Sequence, residues 1–255
     1  MPEKLPVLPA GQAFFEDLRQ ENAVYVDKSA YLPKLRERGK FIFCARPRRF
    51  GKSLTVSSLD AFYSGRVDLF QGLAVEERMS SPAFVPRPVI RLDMSDVAES
   101  DSKKILKRNI IDILDHNAER HHVSLRGADY ANALKYLLID VRKASGKKVA
   151  LLVDEYDAPV IRLAEKDKLI YNAKLLADTR SVIQNFYSII KTAEENIEFA
   201  FITGCTKFSG MGVFSMLNNL VDISLEEDFA AFMGYTHEEL ESYFAPFIAL
   251  LGDFK

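Results

Sequence analysis

Gly51-Lys52-Ser53 follows the apolar run Phe41-Ile42-Phe43-Cys44-Ala45 and leads into a helix-forming stretch over 54–63. A strand, a tight turn and a helix start bring backbone N–H groups and the positive end of a helix dipole to one point. Phosphate oxygens can be held there, with Lys52 reaching the β/γ-phosphates. The full form of this motif has a glycine where the sequence has Arg46. A second signal lies downstream, where the apolar run Val149-Ala150-Leu151-Leu152-Val153 ends in Asp154-Glu155. Such a run suits a strand buried on both faces of a parallel sheet. Phosphoryl transfer uses two acids at a strand end: Asp154 would hold Mg²⁺ through its water shell, and Glu155 would polarise the attacking water as general base. An isolated acidic pair in that place is more often a solvated turn or a helix cap. With Gly-Lys-Ser upstream, after another buried strand and in the same order, the catalytic reading is the stronger.

The elements that must position these groups can be read from periodicity. Pro88-Val89-Ile90-Arg91-Leu92-Asp93 reads as a second strand, 198–203 as a fourth ending at Gly204, and 220–224 as a fifth. Between them, Leu106, Ile110, Ile113 and Leu114 share a helical face. Residues 130–144 form another helix stopped by Ser145-Gly146, and Leu175 to Ile190 give the longest helical pattern. The first forty residues read as a helix at Phe14-Phe15, an extended piece at Tyr25-Val26-Asp27-Lys28 and a helix from Tyr31, covering one edge of the site. Strands alternating with helices predict an α/β fold with a mainly parallel sheet of about five strands and helices on both faces. Ligands in such sheets sit at the carboxyl ends of the strands, where all the polar motifs fall. Thr236-His237-Glu238-Glu239 is a capping box that opens a final helix, read as the start of a helical lid. The expected organisation is 1–40 as N-terminal flank, 41–224 as core and 225–255 as a lid cut short.

Composition excludes other classes. A net charge of −2 gives no overall pull toward nucleic acid or an acidic membrane. No apolar run is long enough to span a bilayer and Met1-Pro2-Glu3-Lys4 lacks the plan of a signal peptide, so a cytoplasmic address is expected. Cys44 and Cys205 read as small buried hydrophobes and His121-His122 as exposed loop residues without the register of a zinc site. Asp157 reads as a helix cap ahead of Pro159 in preference to a supporting partner of Mg²⁺ or Lys52. Asp93 reads equally well as a polar strand-end residue facing the site or as an ordinary strand-ending turn, and is left out of the site. Lys207 and Ser209 sit in a glycine-bearing loop, 204–212, that could move.

Three longer segments carry a resemblance. They are Arg46-Pro47-Arg48-Arg49-Phe50-Gly51-Lys52-Ser53; Asp154-Glu155-Tyr156-Asp157 with Pro159; and Thr203-Gly204-Cys205-Thr206-Lys207-Phe208-Ser209, followed by Phe214-Ser215 and Leu217-Asn218-Asn219-Leu220. Together they resemble the bacterial AAA-ATPase-like family, as do the flanking Tyr25-Val26-Asp27-Lys28 and Gly234-Tyr235-Thr236-His237-Glu238-Glu239. The resemblance implies a P-loop NTPase three-layer sandwich in which another strand separates the acid-bearing strand from the loop strand. It makes Arg46 a family trait, and it implies that Thr203 or Thr206 senses the γ-phosphate. Many members continue into a restriction-endonuclease-like domain, and that activity is not carried over.

The expected function is Mg²⁺-dependent ATP binding and hydrolysis that drives or gates a conformational switch. Backbone amides from Pro47 to Ser53 would wrap the phosphates, with contacts from Arg46, Arg48, Arg49, Phe50 and Leu54. Ser53 and Asp154 would position Mg²⁺, with Lys52, Asp154 and Glu155 as the catalytic set. The competing reading is a nucleotide-gated interaction module with little turnover, serving a nuclease or other effector domain. Arg162 and Arg180 are candidates for an arginine supplied to a neighbouring subunit in a homo-oligomer. Nucleic-acid association through the basic loop is the weakest alternative.

Overall fold

The structure is a computed structural model that describes residues 5–97, 100, 102–127, 129–166, 173–207 and 219–251. Its centre is a five-stranded sheet: β1 (Phe41–Ala45), β2 (Val89–Asp93), β3 (Val149–Asp154), β4 (Ile197–Gly204) and β5 (Leu220–Asp222). The order across the sheet is β2-β3-β4-β1-β5 and every pairing is parallel. The three inner strands carry the longest unbroken apolar runs because both of their faces are covered.

Alternation along the strands sorts two cores. Phe41, Phe43, Leu151, Val153, Ala200 and Ile202 face one side, against α5 (Lys103–Arg120), α6 (Tyr130–Ser145) and α8 (Ala173–Thr192) through Leu106, Ile110, Leu134, Leu138, Ile183, Phe186 and Ile190. Ile42, Cys44, Ala150, Leu152, Phe199 and Phe201 face the other, against α1 (Phe15–Gln20), α2 (Tyr31–Arg38) and α3 (Lys52–Ser64). Local signals set the helix ends. Asp129 accepts from the Ala131 and Asn132 N–H groups to start α6, and Gly146, at φ 67°, ends it. Two short helices, α4 (Glu76–Ser80) and α7 (Ala158–Lys166), and the final α9 (His237–Leu251) are the other α-helices among the described residues.

The expected arrangement of the two motif strands holds: β4 lies between β1 and β3. Register pairs Ala45 with Gly204, Val153 with Ile202, and Asp93 with Asp154, so the strand ends reach one level. At about 4.8 Å per strand, the β1 and β3 ends are separated by roughly 10 Å, a gap that side chains can bridge.

The final helix opens as its capping box predicts. Glu239 N–H donates to Thr236 Oγ1 at 3.2 Å and Thr236 N–H to Glu239 Oε2 at 2.8 Å. Glu239 is also ion-paired with Lys28 of the N-terminal segment, and the Asp27 N–H donates to the Tyr243 hydroxyl, so α9 is tied to that segment. Among the described residues no helix is long and apolar enough to cross a membrane. Ser209, Gly212 and the segments Phe214-Ser215 and Leu217-Asn218 lie outside the described residues.

Candidate functional site

The chain leaves β1 at Ala45, turns through residues 46–51 and enters α3 at Lys52. The turn needs left-handed backbone at Arg49 (φ 70°) and Gly51 (φ 83°). Space is free around the Gly51 Cα, so glycine is favoured there by its dihedral and not by a close neighbour. Lys52 is 4% exposed. Its ammonium curls back over its own loop to donate to the Pro47 carbonyl at 3.3 Å and lies 3.3 Å from Glu155 Oε1. The lysine of the turn and the acid beyond β3 are therefore joined across the intervening strand.

Asp154 is fully buried at the end of β3. Its Oδ1 accepts from the Glu155 N–H at 2.9 Å, whereas Oδ2 is buried without a hydrogen-bonding partner. Burial pushes its carboxyl up to about 6. The Ser53 hydroxyl lies close enough to favour the charged form, and the neighbouring Asp93 and Glu155 carboxylates oppose it. The folded chain thus holds this proton more tightly than an unfolded one. Asp154 supports folding fully below its ordinary value of 3.8 and ceases to as pH rises through about 6. Asp154→Asn removes the charge that costs stability at neutral pH. The variant is expected to be more stable than the wild type near pH 7, by up to roughly 3 kcal/mol, and to converge with it toward about pH 4. Thermal melting across that range checks this; equal stability at neutral pH would contradict the buried-charge assignment.

Beyond Asp154 the backbone of Glu155 is left-handed, at φ 48°. Such a conformation costs a non-glycine residue about 1–3 kcal/mol and is kept where surrounding contacts impose it. The end of β4 supplies those contacts. Tyr156 N–H donates to the Thr203 carbonyl at 3.0 Å, and the Tyr156 hydroxyl to the Thr206 carbonyl at 2.8 Å. Asp157 Oδ2 accepts from the Thr206 N–H and hydroxyl, both at 2.9 Å, and Oδ1 from the Cys205 N–H at 3.3 Å. A Cβ on Gly204 would lie 2.3 Å from Asp157 Oδ1 and 2.5 Å from Tyr156, so only glycine lets the strand end come this close.

Asp157 stands at the start of α7, its carbonyl accepting from the Ile161 N–H at 2.9 Å as the cap reading expects, while its side chain clamps the 204–206 turn to the segment after β3. Cys205 departs further from its expected role as a buried hydrophobe. Its Sγ lies 3.4 Å from Lys52 Nζ and 3.5 Å from Glu155 Oε2, at the centre of the site. No spacing rule announces this, because it depends on β4 lying between β1 and β3.

Other expected residues find different work. The Arg46 guanidinium donates to the carbonyls of Ala45, Ser224 and Phe229, anchoring the segment beyond β5; direct phosphate contact gives way to that anchoring. Pro47 has no N–H to offer a phosphate, and its carbonyl receives Lys52. The buried Thr203 hydroxyl donates to the Cys44 carbonyl at 2.7 Å, joining β4 to β1 instead of facing a ligand. Lys207 pairs with Asp222 of β5 at 2.6 Å. Asp93 accepts from the Ser95 N–H and hydroxyl, the turn expected of it, although it stands beside Asp154. His121 is half-buried with its ring on the Val89 carbonyl at 2.7 Å, so it secures β2 and is not a free loop residue; burial lowers its pKa.

A cavity of about 830 Å³ opens beside the turn, walled by Arg48, Arg49, Phe50, Gly51, Lys52, Ser53, Leu54 and Glu155. Its other walls come from the N-terminal segment, including Gln12, Tyr25 and Lys28, and from Phe232 to Tyr235 at the root of α9. Arg46, Pro47, Asp154 and Thr203 do not line it. The volume is in the range of pockets that take nucleotide-sized ligands. Among the described residues no group of three or more His, Cys, Asp or Glu side chains could hold a metal ion. Mg²⁺ does not need one, since it is commonly held by one or two protein oxygens together with phosphate oxygens and water. The unpartnered Asp154 Oδ2 and the nearby Ser53 hydroxyl are the hard oxygen donors that suit it.

The family model described as predicted AAA-ATPase, AAA-ATPase-like, matches residues 9–214, which covers β1 to β4, the lysine turn and the acidic step. The chain belongs to this AAA-ATPase-like family. It is also similar to an "Uncharacterized protein in vnfD 5'region" of Azotobacter chroococcum mcd 1, with 33% identity over 240 residues. That alignment takes in 94% of this chain and 45% of the relative, so the chain spans less than half of the relative's length. No solved structure matches the chain. Membership in the AAA-ATPase-like family points to nucleotide binding, and the cavity beside Lys52 is the part of this member whose chemistry suits it.

Proposed function

We propose that this chain binds ATP with Mg²⁺ and hydrolyses it, and that the event switches the position of the lid helix α9. The observation that carries the reading is the meeting of Lys52 and Glu155, 3.3 Å apart, at the floor of the large cavity. Lys52 neutralises charge on the β- and γ-phosphates, while the N–H groups of the turn after Pro47 and the first turn of α3 receive their oxygens. Ser53 and Asp154 hold Mg²⁺, which when bound withdraws charge from the phosphate oxygens. Glu155 orients and deprotonates the attacking water; to do so it must leave Lys52, a partner for which a triphosphate competes directly. Arg48 and Arg49 border the same cavity and add positive charge at its mouth.

The Lys52–Glu155 pair also favours one second reading, a nucleotide-gated module in which Glu155 stays on Lys52 and turnover is negligible. A binding titration with ATP beside a steady-state phosphate-release assay separates the two. Saturable binding with Mg²⁺-dependent phosphate release supports the ATPase. Binding without release supports the module, and absence of binding ends both.

A further inference from the structure

The flanking segments Tyr25-Val26-Asp27-Lys28 and Gly234-Tyr235-Thr236-His237-Glu238-Glu239 have no part in the phosphate chemistry, yet the structure brings them together. Lys28 and Glu239 are 211 positions apart in the chain. The Lys28 ammonium donates to both carboxylate oxygens of Glu239, 2.6 Å from Oε2, and the two side chains are only 13% and 24% exposed. One helical turn further on, the Tyr243 hydroxyl accepts from the Asp27 N–H at 3.4 Å. Two neighbouring residues of one segment thus grip α9 at positions i and i+4, which share a helix face.

The two sides of this contact are held differently. Asp27 Oδ1 accepts from the Ser29 N–H and Oδ2 from the Ala74 N–H, both at 2.8 Å, and the buried Ser29 hydroxyl accepts from the Val75 N–H at 3.2 Å. The gripping segment is therefore fixed to the body of the protein. On the other side Phe229, Phe232 and Met233 are buried, but beyond Gly234 the side chains of Tyr235, Leu240, Tyr243 and Ile248 are exposed, so α9 rests on little core. Gly234 stands where the buried and exposed parts join, with a left-handed backbone (φ 79°) that glycine adopts freely. A Cβ there would lie 3.3 Å from the Phe50 ring of the lysine turn. Lys28, Gly234, Tyr235 and Leu240 all line the cavity beside Lys52, so the contact is part of its wall.

We propose that the Lys28–Glu239 pair is a clasp that holds α9 to the N-terminal segment and sets how long a nucleotide stays in the cavity. This rests on the triphosphate reading above and names the device that governs release at that site. With the pair intact, the root of α9 closes one side of the cavity. With it broken, the helix swings about Gly234 and that side opens. Partial burial gives such a pair more weight than an exposed surface pair, which salt and side-chain entropy reduce to little.

The probe is ATP with a fluorescent label on its ribose, bound with Mg²⁺ and chased with unlabelled ATP. Its release rate is read in wild type, Lys28→Met, Glu239→Gln and the double variant. Glutamine keeps an acceptor for the Thr236 N–H, so the start of α9 survives in Glu239→Gln. Each single substitution is expected to raise the release rate about tenfold, the scale of one partly buried charged hydrogen bond, and the double variant no further, because both remove the same contact. In the absence of nucleotide, hydrogen exchange at α9 is expected to rise in all three variants while the sheet stays protected. Opposite effects, with Lys28→Met weakening ATP and Glu239→Gln tightening it, would make Lys28 a phosphate ligand and overturn the clasp. Release within about twofold of wild type in all three variants overturns it as well and leaves the phosphate site standing, as does exchange that rises throughout the sheet, the mark of a general stabilising contact. A wild type that binds neither labelled nor unlabelled ATP overturns the triphosphate reading and the clasp together.

Discussion

Lys52→Met is expected to weaken ATP binding by about a hundredfold or more, the scale of losing a buried, charge-assisted contact to phosphate. Methionine keeps the stem that fills the 4%-exposed site, so the variant separates charge from packing. The same substitution leaves the Glu155 carboxylate without its cation, beside the Cys205 thiol at 3.5 Å. Direct titration with ATP is the measurement, with thermal melting as control. Binding within about twofold of wild type, on a folded variant, would remove Lys52 from the phosphate site and with it the case for the whole cavity.

Glu155→Gln acts on the other half of the pair, with the opposite signature. Glutamine matches the glutamate in size and tolerates the same left-handed backbone, but it can neither take a proton nor hold Lys52 by charge. Phosphate release should fall by about 10²–10⁴-fold, the usual contribution of a general base. ATP affinity should hold or improve, because Lys52 no longer has to leave a carboxylate to meet the phosphates. Loss of binding and turnover in equal measure would make Glu155 a structural partner of Lys52 and not a base. Unchanged turnover would assign water activation to another group. The two variants together distinguish the phosphate contact from the chemical step, which neither does alone.

The contact at the heart of both predictions was only half legible beforehand. Unbroken apolar runs named the inner strands, because a strand covered on both faces has no polar positions to show. Spacing of Leu and Ile placed the long helices, and Gly51, Gly146 and Thr236 marked turns and caps through local backbone demands that a short stretch of sequence states in full. The lysine turn and the acidic step were readable for the same reason, each being a local motif.

What became of Arg46, Thr203, Asp157 and Cys205 was not readable. Arg46 looks like a phosphate ligand until β5 brings the Ser224 and Phe229 carbonyls to it. Thr203 looks like a sensor until its register opposite Cys44 turns its hydroxyl into a link between strands. Cys205 looks like filler until the turn after β4 sets it between Lys52 and Glu155.

The amino-acid sequence by itself determined the strands, the helices, the phosphate-type turn and the acids, since each follows from backbone preference and burial within a few neighbouring residues. Only the tertiary structure decided which of these groups meet. Placing β4 between β1 and β3 is a choice among long-range pairings, and the contacts of every side chain at the strand ends follow from that choice and not from the identity of the side chain.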